Sequence, residues 1–146
     1  MTGITTTRTN TWLASRLSDI HHAYFPEIPI KNTVLVRFGR TSKYRFGSII
    51  SRERKGYKKP VTYITINSLF RNEVVPEYVI DATLAHEFVH YSHGFHSPLE
   101  QLYQYPHKGG IVNKELRKRG VGELLKQQRS WIKQKYPDFL RHYYHK

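Results

Sequence analysis

The chain alternates between two spacings of apolar residues, and the switches between them mark out its elements. From Asn10 to Phe25 the residues Trp12, Leu13, Leu17, Ile20 and Tyr24 recur at helical spacing, which predicts an amphipathic helix capped by Asn10 or Thr11 and stopped by Pro26 and Pro29. Val34–Phe38 and Val61–Ile66 alternate and are rich in β-branched residues, so both read as strands. Tyr44–Ile50 reads as another strand, bent at Gly47. Pro76–His93 returns to the helical period, with Val79, Ile80, Thr83, Leu84 and Phe88 as its buried face, and Gly94 is placed to end it in a left-handed conformation. Beyond an irregular stretch from Ser97 to Lys108, helices are expected over Ile111–Arg119 and Glu123–Tyr136. Pro137 is expected to end the last of these and leave a fraying basic, aromatic tail. The sum is an α+β domain: an N-terminal helix, a three-stranded, mainly antiparallel sheet, a central helix and C-terminal helices.

The 146 residues suit one domain with one core, spanning 1–146, with residues 1–9 flexible and 121–146 a basic helical extension. There is no cysteine, which excludes disulfides, thiolate chemistry and any cysteine-held metal. The N-terminal residues lack the apolar segment of a signal peptide, and no apolar run is long enough to span a membrane. No membrane partner and a cytoplasmic location are therefore expected. The net charge of +13 is concentrated in two blocks: Arg37–Lys59 holds nine Lys and Arg against Glu53 alone, and Asn113–Lys146 holds ten against three acids. Such fields attract polyanions, so nucleic acid enters as a possible partner beside a protein or peptide substrate.

Within the Pro76–His93 helix stands His86-Glu87-Phe88-Val89-His90. Two histidines four apart share one helix face, so both imidazoles can reach one metal ion. Glu87 beside the first points toward the ion's open coordination position, where it can take a proton from a water and pass it on. With no cysteine, the remaining ligand must be another His or a carboxylate, and that donor set suits zinc. His107 follows His90 across a loop long enough to fold back. Glu115 lies in the next helix and would supply the carboxylate of a gluzincin arrangement. His96 has metzincin spacing from His86, but His93 stands where that motif carries Gly, and the sole methionine, Met1, cannot form a Met-turn. His107 is favoured over Glu115, and His96 stands third. Tyr91, His93, His96, Tyr103 and Tyr105 are candidates to bind substrate or steady an oxyanion. The alternative is a basic nucleic-acid-binding module whose zinc is structural, in a closed four-ligand site with no task for Glu87.

The order of helix, three strands, a loop with Asn67 and Leu69, Thr83-Leu84-Ala85-His86-Glu87-Phe88-Val89-His90 and a downstream His-led helix resembles the SprT-like zinc metallopeptidase domain. The likeness covers Asn10 to Gly120 in outline. Only Ile64–His90 and His107–Leu116 are alike in sequence. The resemblance implies a small zincin-like fold and a metalloendopeptidase with one catalytic zinc held by His86, His90 and His107. Glu87 would serve as general base and DNA-associated proteins as the substrate class. The SprT pattern puts Gly directly after the third His, whereas here Lys108 precedes Gly109. Minigluzincins are the close alternative, and they imply Glu115 as third ligand. The cysteine ribbon that many SprT-like proteins carry has no counterpart in this sequence.

Overall fold

The computed structural model describes residues 6–145. Its element order is α1 (Asn10–Tyr24), β1 (Val34–Phe38), β2 (Gly47–Arg52), β3 (Val61–Ile66), a 3₁₀ turn (Ser68–Arg71), α2 (Glu77–Ser92), α3 (Ile111–Lys118), α4 (Gly122–Gln134) and α5 (Tyr136–Tyr144). β1 and β3 occupy the spans expected from alternation. β2 begins at Gly47, because residues 39–46 form a loop that wraps the end of the sheet.

The sheet order is β1-β3-β2. β3 runs parallel to β1, with Val36 opposite Ile64, and antiparallel to β2, with Ile49 opposite Ile64. The sheet is thus mixed, which corrects the expectation of a mainly antiparallel one. Alternation fixes which face of a strand is buried, but it carries no information on neighbour order or direction. Here the 39–46 loop carries the chain past the central position, which β3 then fills.

α1 lays Leu13, Leu17 and Ile20 into the core. Its cap is Thr9, whose hydroxyl accepts from the Trp12 N–H at 3.1 Å, rather than Asn10 or Thr11. Asn10 instead accepts from the Phe38 N–H at 2.9 Å, tying the helix to the end of β1. Residues 1–5 of the segment expected to be flexible lie outside the described residues. The rest is held down: Arg8 is buried and donates to the carbonyls of Phe70 and Asn72 at 2.8 and 3.0 Å.

α2 is the axis of the molecule. Thirteen of its sixteen residues are buried, because α1, α3, α4 and the β2–β3 side of the sheet all pack on it. A helix covered on every side has no single apolar stripe, so its buried set extends well past the face read from periodicity. Gly94 ends it at φ +78°, and a Cβ there would stand 2.2 Å from the Glu100 carbonyl oxygen. The position therefore needs glycine both for its backbone and for the close approach of the returning loop.

The tail expected to fray is helical as far as Tyr144. Tyr136–Tyr144 form α5, with Pro137 in its first turn, where a missing N–H costs nothing. Trp131 and Tyr136 are buried. Tyr136 meets Phe46 edge-on at 5.2 Å between ring centroids and donates to the Lys43 carbonyl at 2.7 Å. α5 therefore braces the 39–46 loop from behind.

Asn67 braces the same loop from within. Its amide donates to the carbonyls of Ser42 and Arg45 at 2.5 and 3.0 Å, and its carbonyl oxygen accepts from the N–H groups of Leu69 and Ser42. Asn67→Ala leaves these backbone groups without a partner. We expect a loss of about 1–3 kcal/mol in chemical denaturation, with faster proteolytic cutting confined to residues 39–46.

Candidate metal centre and cleft

α2 carries His86, Glu87 and His90 at the junction of two environments. His90 is fully buried, Glu87 is 6% exposed and His86 half-buried. The His86 and His90 rings meet edge-on with centroids 5.1 Å apart. The irregular 93–110 segment brings His107 back onto His90 at 4.5 Å, while Phe95 packs against both at 5.5 and 5.6 Å. Three histidine rings from two distant stretches of sequence thus adjoin, with a phenylalanine sealing one side. Among the described residues, no three His, Asp or Glu side chains are already gathered tightly enough to hold an ion. The rings are neighbours rather than a finished cage.

His90 gives this cluster its chemical character. Both of its ring nitrogens are buried without a hydrogen-bond partner, as is Nδ1 of His93. Buried polar atoms are nearly always paired, so two bare nitrogens on one ring mark a place where a partner of another kind fits. Burial pushes the His90 imidazole down to about 3, helped by the neighbouring His86, His107, His93 and His96. His86 is lowered too, by burial and then by His107. Neutral imidazoles are the form that binds metal. The Glu87 carboxyl is pushed up to about 7 by burial, with Arg45 pulling the other way.

Glu87 and His86 open onto a cleft of about 1000 Å³. Its floor is Gly47: a Cβ there would stand 2.7 Å from Thr83 Cγ2 and 3.2 Å from Glu87 Oε2. The bare backbone is what lets β2 pass directly over the carboxylate. The lip comes from the 39–46 loop, with Arg40, Tyr44 and Arg45, and the far wall from Gln128 of α4. Gln128 donates to the Val79 carbonyl and to the Thr83 hydroxyl at 3.0 Å each, fixing α4 against α2.

The other candidates read from the sequence stand elsewhere. Glu115 is engaged: Oε1 lies 3.5 Å from His93 Nε2, and Oε2 accepts from Arg119 at 2.7 Å. Arg119 in turn holds Glu27 and the Tyr24 carbonyl. His93 lies between Glu115 and the Tyr103 ring, 4.8 Å away. His96 has φ +53° and accepts through Nδ1 from the Ser51 N–H at 3.2 Å, at the far end of β2. The Tyr91 hydroxyl donates to Asn32 at 2.6 Å and accepts from the Lys31 N–H, so it faces away from the cleft. Tyr105 is exposed, with Lys108 over its ring at 5.2 Å. Sequence reading missed Arg45, Gln128 and the role of Gly47 as floor. A glycine inside a β-branched strand is the signal for such a close approach, but it does not name the partner.

No protein-family model, curated protein or solved structure matches this chain. Among the described residues, no helix is long and apolar enough to cross a membrane.

Because His90 is held down near 3, the metal-free protein should show a flat His90 imidazole shift in an NMR titration between about pH 5 and 8. A midpoint near the ordinary value of about 6.5 would contradict the site. The sign for stability follows. The unfolded chain protonates His90 near that ordinary value and the folded chain does not. The metal-free fold therefore weakens as pH falls from about 6.5 toward 3.

Proposed function

We propose that the chain is a zinc-dependent endopeptidase, with His86, His90 and His107 holding the ion and Glu87 acting on the water. The observation that carries this is the pair of bare, buried nitrogens on His90, whose ring adjoins those of His86 and His107, while His86 and Glu87 line the neighbouring cleft. His90 is fixed by burial, while the half-buried His86 and exposed His107 can turn about their side-chain bonds to close on an ion beside it. Glu115 is a poorer third ligand, since binding metal would strip His93 and Arg119 of their partner. A purely structural zinc leaves unexplained why a protonatable carboxyl faces open space.

When bound, zinc supplies a Lewis acid that acidifies a water and polarises the scissile carbonyl. Glu87, poised near 7 by burial, takes the proton from the attacking water and returns it to the departing amine. The free edge of β2 runs over Glu87 and offers backbone groups to an extended peptide, which orients the bond to be cut. Proteins bound to nucleic acid are one source of such substrates, consistent with the positive net charge.

The test combines metal analysis with a peptidase assay. Glu87→Gln is expected to keep about one zinc per chain while hydrolysis falls roughly 10²–10⁴-fold, the range for a lost general base. Hydrolysis undiminished in the zinc-loaded variant would sink the mechanism. In parallel, His107→Ala should lose zinc and Glu115→Ala retain it. The reverse pattern would transfer the third ligand to Glu115.

A further inference from the structure

The sheet leaves one edge of β2 open, and its usable length can be read from two hydrogen bonds. The Phe46 carbonyl accepts from the Asn67 N–H at 2.9 Å, on the β3 side. By the two-residue alternation of an antiparallel ladder, positions 48 and 50 also face β3, and 47, 49 and 51 face outward. The Ser51 N–H confirms this parity, since it points away from β3 to His96. His96 therefore closes the far end of the edge. Gly47 and Ile49 remain to pair with an added strand, directly above Glu87.

A peptide joining that edge antiparallel runs from the His96 end toward Gly47, and its C-terminal half continues onto the 39–46 lip. There it meets Arg40 and Arg45, both exposed. Neither makes an ion pair among the described residues. Among the described residues, Glu87 is the sole acid lining the cleft. Two unpaired guanidiniums are a ready fork for a carboxylate.

We propose that Arg40 and Arg45 select peptides carrying a carboxylate on the leaving-group side of the scissile bond. That carboxylate is either an Asp or Glu side chain or the substrate's own C-terminus. The assignment to a leaving-group side rests on the endopeptidase reading above, whereas carboxylate binding at the lip does not. A single-stranded nucleic acid is the weaker occupant. It asks for a run of stacking aromatics, and of the two aromatics in the lining, Phe46 is packed against Phe70 and Tyr136, leaving Tyr44 alone.

The experiment is fluorescence anisotropy with matched short peptides on zinc-loaded Glu87→Gln protein, repeated on wild-type protein stripped of metal by a chelator. One peptide carries Glu in its C-terminal half and an amidated end. The second is neutral with a free C-terminus, and the third is neutral and amidated. Either of the first two should bind more tightly than the third, and which of them does so identifies the carboxylate's source. Arg45→Gln and Arg40→Gln should each erase about fivefold of that preference, a magnitude suited to partly exposed charge pairs. Lys58→Gln, in the basic 53–60 loop, should leave it intact. The proposal is overturned by equal binding of all three peptides, or by an equal loss in Lys58→Gln. It is also overturned if an oligonucleotide shows the arginine dependence and the peptides do not. Carboxylate selectivity without any hydrolysis by the zinc-loaded wild type would refute the endopeptidase reading and leave the lip's preference standing. Hydrolysis without selectivity would do the opposite.

Discussion

Everything in this fold depends on α2 being buried on all sides while carrying polar groups. Moving carboxylates, hydroxyls and imidazoles into a core is unfavourable unless each finds a partner. The helix meets that constraint one position at a time. Asp81 takes a two-point ion pair from Arg16. Thr83 donates to the Val79 carbonyl and accepts from Gln128. Ser92 donates to the Val89 carbonyl. Burial raises the Glu87 carboxyl to about 7, which lessens the cost of keeping it in the core. His90 alone keeps two nitrogens unanswered. The surrounding elements can thus be read as a set of answers to α2's polar positions, and the exception stands where chemistry is expected.

The same economy shapes the cleft. Its floor exists because residue 47 has no side chain, and its lip exists because the Asn67 side chain satisfies three backbone groups of a loop that makes few backbone bonds of its own. Rigidity at the lip is therefore local and polar in origin, while rigidity beneath Glu87 comes from packing. The two arginines at the lip lie outside both systems, exposed and free of ion pairs among the described residues, which suits groups whose partner arrives from solution.

Much of the fold was legible in the sequence, because single elements write strong local patterns. The strands Val34–Phe38 and Val61–Ile66 and the span of α2 follow from apolar spacing, and Gly94 stops α2 with the left-handed backbone its position predicted. What failed was non-local. The parallel pairing of β1 with β3 depends on where the 39–46 loop sends the chain, and no spacing within a strand encodes that. α5 escapes a local reading because proline favours a helix end, yet Pro137 falls in a first turn, where it is tolerated. At the candidate site, the i,i+4 histidines on one helix face were legible from period alone. The engagement of Glu115 with His93 and Arg119, and of Tyr91 with Asn32, depends on neighbours distant in sequence. So does the approach of His107 to His90, for which the sequence offered a loop of adequate length and no more.

The bond from Tyr136 to the Lys43 carbonyl joins positions 93 residues apart, and this has a consequence for the order in which the molecule is completed. A chain made from its N-terminus has β2, α2 and the histidine cluster in hand well before α5 emerges. Until then the lip has Asn67 to shape it and Phe70 against Phe46, but lacks Tyr136 and its bond to the Lys43 carbonyl. His86, Glu87, His90 and His107 can thus come together ahead of the contacts that brace the cleft's lip from α5. During synthesis, the residues of the histidine cluster are therefore all present before those that brace the lip from α5.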